Sequence, residues 1–320
     1  MTDKPLPQAP EALPVPTTDA HTHLTTTARA TGLAPADALA HARAVGVHRV
    51  VDVGYDPASS AAALALATEH PEVVATVAIH PHDAVELGEG LDEALREVEA
   101  LLGAPGAVDA TATGARGRIR GVGETGLDHY WVKDPAERAR QRDAFATQIG
   151  WAHAHDLALV IHDRDAHADL VDVLDAQGWP ARVQMHCFSG DAAFARRCLD
   201  GGAHLSFPGT VTFKANEHLR EALRLTPLDR LLVETDAPYL TPAPLRGRPN
   251  ASYLLPHTVR FIADVRGVDL AELCAQLDAN ATALFGDWGT AAENTAVENT
   301  AVENTAVGRT ADGATGGGRG

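Results

Sequence analysis

Eight short runs rich in β-branched residues recur along this chain, each separated from the next by a longer stretch with helical spacing. The runs are TTDAH (17–21), VHRVVDVG (47–54), VVATVAI (73–79), RIRGVGE (118–124), LALVIH (157–162), RVQMHC (182–187), AHLSFP (203–208) and RLLVETD (230–236). Segments 35–45, 57–69, 91–102, 135–155, 166–177, 191–201 and 217–225 carry apolar residues three or four apart and read as crossover helices, with two more at 255–265 and 269–284. Asp134 before Pro135, and Asp191 before an Ala-rich segment, supply local helix starts. Parallel strands cannot be joined by tight turns and need such crossovers. Eight β/α units in roughly 270 residues predict an α/β fold of the (β/α)8 TIM-barrel type.

The barrel is expected over residues 17–288. Residues 1–16 are Pro-rich and read as an unstructured arm, and 103–118 (GAPGAVDATATGARGR) as a Gly/Ala-rich loop insertion. From 289 to 320 the chain runs through AVENT repeats into a Gly-rich end. Too few apolar residues are present there to offset the entropy of ordering it, so a disordered tail is expected.

Charge and cysteine content narrow the function classes. With 26 basic and 43 acidic residues the formal net charge is −17, which argues against broad, sequence-blind adhesion to nucleic acid or anionic membrane but leaves a locally charged pocket open. The first eighteen residues lack the apolar run of a secretory signal, and no stretch is apolar enough to span a bilayer. Cys187, Cys198 and Cys274 form no CxxC pair and no disulfide framework; a cytoplasmic protein with no membrane partner is expected, and no obligate protein partner is evident.

The chemistry sits where apolar runs end. In DAHTH the period of two puts His21 and His23 on the same side of the first strand, where two imidazoles can converge on one ion. On a helix that spacing would splay them about 200° apart. Alone, such a pair reads equally well as two satisfied or solvent-facing histidines. Glu124, His162, His186 and Asp236 each close a further apolar run, however. In a barrel, the C-terminal strand ends form one ring around the mouth, where active sites are built. Four histidines and two carboxylates then share one small space.

Imidazole plus carboxylate without thiolate suits Zn²⁺, Mn²⁺ or Mg²⁺. Six ligands are too many for one tetrahedral ion and suit two divalent ions, roughly 3.5–4 Å apart. Glu124 is the natural bridge, His21, His23 and Asp236 would hold the first ion, and His162 and His186 the second. Asp236 would also take the proton of the attacking water, so Glu124 and Asp236 are the catalytic candidates. Near this ring, His80 and His82 follow the third strand and could contact substrate or support a ligand. Arg164 and Lys214 could hold a phosphate, though a lone cation is usually a solvated side chain. Asp128 could orient a ligand histidine through its free ring nitrogen. Cys187 reads as a buried small hydrophobe beside His186.

The runs DAHTHL (19–24), IHPHD (79–83), GETGLDHY (123–130), IHDRDA (161–166), MHCFSG (185–190), SFPGTVTFK (206–214) and ETDAPYLTP (234–242) resemble, in order, the motifs of the TatD family of metal-dependent hydrolases. The resemblance implies a TIM-barrel hydrolase with a divalent-metal pair on the same six residues, acting on DNA, commonly as an exonuclease. Two positions depart from the family's pattern: Ala251 stands where a glutamate is usual, and Pro208 where a small polar residue is usual.

Three readings follow. The first is a DNA phosphodiesterase of 3′–5′ exonuclease type, acting on DNA ends or short single strands with a water activated by two metals. The second keeps the metals and changes the bond, as in a D-aminoacyl-tRNA deacylase or an amidohydrolase. The third is a metal-binding scaffold without catalysis.

Overall fold

The β-branched runs become eight parallel strands, ordered β1 to β8 around a ring, in a computed structural model that describes residues 5–104, 106–108 and 117–288. The strands are β1 (Thr17–Thr22), β2 (Val47–Val53), β3 (Val73–Val77), β4 (Ile119–Asp128), β5 (Ala158–Arg164), β6 (Val183–Met185), β7 (His204–Phe207) and β8 (Leu231–Val233). The ring closes beyond β8, where the Asp236 N–H donates to the His21 carbonyl at 3.0 Å.

Between and after the strands run α1 (Leu24–Thr31), α2 (Pro35–Ala44), α3 (Pro57–Glu69), α4 (Pro81–Glu86), α5 (Leu91–Leu102) and α6 (Pro135–Ala154). They are followed by α7 (His167–Gln177), α8 (Ala192–Asp200), α9 (Glu217–Leu225), α10 (Leu255–Arg266) and α11 (Leu270–Phe285). The fold is the TIM barrel expected from the alternation. Asp134 caps α6 through the N–H groups of Ala136 and Glu137, and Asp191 caps α8 through those of Ala193 and Phe194. None of the described helices is long and apolar enough to cross a membrane.

Period-two alternation splits β2, β3, β5 and β8 between two cores. On β5, Leu159 and Ile161 join the large cluster under the helices, while Ala158 and Val160 pack with Val74, Leu232, Leu284, Phe285 and Trp288. That second cluster fills the barrel's N-terminal end, and His162 continues its face toward the mouth.

Three departures from the sequence reading have local causes. β4 continues past Glu124 to Asp128, with a register shift between Val122 and Thr125, so Glu124 projects from an irregularity inside the strand rather than from its end. Gly123 and Gly126 permit this: a Cβ would sit 2.4 Å from the Val160 side chain at one and 2.0 Å from the His162 carbonyl oxygen at the other. The second departure is two short unforeseen helices, α1 and α4.

The third concerns residues 5–16, expected to be an unstructured arm. They form no helix or strand but lie against the barrel. Leu13 is buried, and the carbonyls of Pro7 and Ala12 accept from Tyr253 Oη and Arg260 Nη2. Most of the 103–118 insertion and all of the 289–320 tail lie outside the described residues.

Candidate metal centre

β1 carries His21 and delivers His23 just beyond its end; β4 carries Glu124, β5 carries His162, His186 follows β6, and Asp236 follows β8. All six meet at the C-terminal mouth. His21 Nε2 and His23 Nε2 lie 3.3 Å apart. Glu124 Oε2 is 3.5 Å from the first and 3.6 Å from the second, and Asp236 Oδ1 is 3.6 and 3.4 Å from them. Four donors placed tetrahedrally about an ion with ~2.1 Å bonds would be ~3.4 Å apart. These donors therefore fit a single divalent cation.

The other oxygen of the same carboxylate serves a second set. Glu124 Oε1 is 2.9 Å from His162 Nδ1 and 2.8 Å from His186 Nε2, and those two nitrogens are 3.4 Å apart. One glutamate thus faces two adjacent donor sets, one oxygen to each.

His80 Nε2 is also 3.5 Å from Glu124 Oε1, a spacing that would admit it as a donor to an ion. Its Nδ1, however, accepts from the His82 backbone N–H at 3.1 Å. The ring proton then sits on Nε2, and a protonated nitrogen cannot ligate. His80 is better placed to donate a hydrogen bond into the cavity. His82 lies in the first turn of α4, lines the cavity, and approaches Glu86 at 3.5 Å.

The electrostatics favour positive charge at this point. Burial works against the His23 imidazolium, but Asp236 and Glu124 outweigh it and raise its pKa to about 9. Burial likewise works against the Glu124 carboxylate, yet the imidazoles around it, His186 foremost, hold it well below the usual range. His21, deepest and beside His186, is pushed down.

The supports come from the chain itself. His23 Nδ1 lies 2.9 Å from the Val53 carbonyl oxygen and His162 Nε2 lies 3.4 Å from Asp128 Oδ2, the arrangement that fixes a ligand imidazole's free nitrogen. His186 Nδ1 lies 3.5 Å from Glu234 Oε1. Asp236 has a left-handed backbone, φ +52°, a strained conformation for a residue with a side chain. It is held by its own N–H on His21 and by the Tyr239 N–H on its carbonyl, 2.9 Å.

Two carboxylates beneath the site escaped the sequence reading. Glu234 is fully buried and accepts from Gln184 Nε2 (3.1 Å), Ser206 Oγ (2.6 Å) and the Cys187 N–H (2.5 Å). Asp19 accepts from the Thr235 N–H and hydroxyl at 2.9 and 2.6 Å, and burial raises its pKa to about 7. The signal was present in part: Asp19 lies two residues before His21 on β1, and Glu234 two residues before Asp236, just beyond β8.

A cavity of about 690 Å³ opens over the centre. Arg164 is exposed on its rim, with its guanidinium 4.0 Å above the Tyr130 ring. Lys214 is not brought there: it is exposed, outside the cavity lining, on a chain that turns from β7 through a short 3-10 helix (Gly209–Thr212) toward α9. Cys187 is half-buried and lines the cavity rather than packing as a core hydrophobe, because its left-handed backbone (φ +43°) turns the chain at the mouth. Ala251 is buried and outside the lining, so that departure from the family's pattern does not touch the cavity wall.

Residues 18–286 match the family described as TatD related DNase. A Mycobacterium tuberculosis protein named as an uncharacterised metal-dependent hydrolase TatD is 42% identical over 275 residues, covering 84% of this chain and 97% of that one. A Cronobacter sakazakii protein named as a 3′-5′ ssDNA/RNA exonuclease TatD is 36% identical over 256 residues, covering 77% of this chain and 90% of that one. Among solved structures, the TatD homologue YJJV from Escherichia coli K12 superposes with a TM-score of 0.73 at 25% identity, over 85% of this chain and 98% of that one. Barrel, converging donors and sequence agree: the chain belongs to the TatD family of metal-dependent hydrolases.

Proposed function

We propose that this hydrolase is a DNA phosphodiesterase of 3′–5′ exonuclease type, working with two divalent ions of Mg, Mn or Zn on strand ends. The observation that carries the reading is the junction at Glu124, whose Oε2 belongs to the His21–His23–Asp236 set and whose Oε1 belongs to the His162–His186 set. When bound, such a pair of ions supplies Lewis-acid polarisation of the phosphoryl group and acidification of the attacking water.

The chain's own groups do the rest. Glu124, kept anionic by the surrounding histidines, holds the two donor sets at a fixed separation. Asp236 lines the cavity and can accept the proton of the attacking water. His80, neutral and with its proton on Nε2, can donate to a phosphoryl oxygen. Arg164 places a cation at the rim for a phosphate of the strand. The Cronobacter relative named as an exonuclease on single-stranded DNA and RNA supports this choice of bond.

The test is a substrate panel of single- and double-stranded DNA, RNA, D-aminoacyl-tRNA and simple amides, with each metal added back to stripped protein. Shortening of DNA from its 3′ end that depends on added metal is the expected result. Intact nucleic acid with every metal, alongside hydrolysis of an acyl ester or amide, would replace the phosphodiesterase reading with the carbonyl-hydrolase one.

A further inference from the structure

Large apolar side chains rarely stand in solvent without a role when they cluster. Among the described residues, the exposed large ones are Leu87, Tyr130, Trp131 and Tyr239. Three of these four gather at the mouth. Trp131, 62% exposed, follows β4; Tyr239, 54% exposed, follows β8. In a ring ordered β1 to β8 those strands are opposite one another, and both side chains line the cavity.

Neither ring is loosely placed. The N–H groups of Tyr130 and Trp131 both donate to Asp128 Oδ1, at 2.9 and 3.0 Å, while Oδ2 of that carboxylate faces His162. One carboxylate thus ties the Trp131 loop to the metal centre. Trp131 meets Tyr130 edge-on, with centroids 4.8 Å apart, and the Arg164 guanidinium stacks on Tyr130. On the far side, buried Asn250 donates to the Tyr239 carbonyl at 2.6 Å, and the Tyr239 ring stands 6.3 Å from that of His23.

We infer that Trp131 and Tyr239 are stacking platforms for unpaired nucleobases flanking the phosphodiester presented to the Glu124 centre, with Arg164 on the adjoining phosphate. The inference rests on the phosphodiesterase reading and adds how the strand is held. Every base offers a π-face, so aromatic platforms grip a strand without reading its sequence. In a duplex those faces are already covered by neighbouring base pairs, so the mouth selects frayed or single-stranded ends. The net charge of −17 points the same way. A chain this acidic gains little from tracking many phosphates, which leaves the bases as the larger part of the grip at this mouth.

The experiment compares a short phosphorothioate-linked DNA oligonucleotide with an abasic strand of equal length, binding to the protein as purified. Affinity is read for every variant from the fluorescence anisotropy of a dye-labelled strand, and in wild type also from intrinsic emission, since Trp131 is exposed whereas Trp151 and Trp288 are buried and Trp179 is half-buried. The oligonucleotide should quench this emission and bind roughly a hundredfold more tightly than the abasic strand, which loses both platforms at once, with a salt dependence corresponding to one or two phosphates. Trp131→Ala and Tyr239→Ala should each weaken oligonucleotide binding about tenfold and leave the abasic strand unaffected, while Trp131→Phe keeps most of the affinity.

Equal binding of the two strands, or wild-type affinity in Trp131→Ala, would overturn the inference. Hydrolysis of bis(p-nitrophenyl) phosphate by the same preparation, with Mg²⁺, Mn²⁺ or Zn²⁺ added in turn, separates the two claims. Its cleavage without base-dependent binding removes the platforms alone, and failure to cleave any phosphodiester removes the function reading.

Discussion

The two ends of the barrel both bury charge, and they settle it in opposite ways. At the N-terminal end, Arg49 is buried and donates to Asp278 Oδ2 at 2.6 Å and Thr282 Oγ1 at 2.9 Å, with its guanidinium 4.4 Å over the Trp288 ring. Asp278 takes further hydrogen bonds from Thr18 (2.6 Å) and His48 (2.9 Å). The chain brings its own cation there. At the mouth, Glu124 and Asp236 meet only imidazoles; among the described residues, no lysine or arginine pairs with either. A buried charge cluster whose cation is built in holds the fold together. One whose donors converge on a point between side chains is built to be completed by something that binds.

The largest effect that would break this contrast is functional. Glu124→Gln removes the charge shared by both donor sets, and phosphodiester hydrolysis should fall by at least about 10³-fold, roughly 4 kcal/mol of transition-state stabilisation. Elemental analysis of the same variant should show fewer bound ions per chain than wild type. Retained metal together with retained activity would mean that Glu124 joins nothing.

At the opposite end, Asp278→Ala leaves Arg49 buried without its main partner, which should lower unfolding stability in urea by about 3 kcal/mol. The folded fraction should keep wild-type activity and metal content. Adding a divalent ion at 100 times its dissociation constant should stabilise stripped wild type by about 2.7 kcal/mol. Asp278→Ala should gain the same increment, and Glu124→Gln should gain clearly less. If the bottom variant lost its metal response, the two ends would be coupled rather than separate.

Most of the scaffold is legible in the sequence because each β-branched run must be buried between helices, and the runs end at chemically unusual residues. The short helices are not. LTTTARAT, which forms α1, and PHDAVE, which forms α4, are too brief or too Thr-rich for spacing to reveal them. Within the site, His21 and His23 are legible through the period of two. The same period marks Asp19 and Glu234, but nothing in one sequence distinguishes a carboxylate facing a metal position from one buried two residues deeper. Lys214 misleads for a different reason: its place after the seventh strand suggests the mouth, yet the 3-10 turn that follows decides where the chain heads. The pairing of Trp131 with Tyr239 depends on ring closure, which no local pattern encodes.

The smallest effect tests whether the bottom cluster acts through ordinary charge pairing. Burial alone would raise the Asp278 carboxyl, but the bonds from His48, Arg49 and Thr18 outweigh it and hold its pKa well below the usual carboxylate range. A pKa depressed in the folded state means that the unfolded chain binds the proton more readily. The contribution is therefore fully present above the unfolded value, about 3.9, and is lost as pH falls below it toward the folded value. Wild type should lose stability steeply on that acid limb, whereas Asp278→Asn, which has no proton to take up there, should show a shallower limb by about 1 kcal/mol between pH 4 and 3. Both proteins should keep parallel profiles from about pH 5 to 7, where this carboxylate stays ionised. Parallel curves below pH 4 as well would show that Arg49 and Asp278 contribute packing rather than charge, and the contrast between the two ends would then rest on the mouth alone.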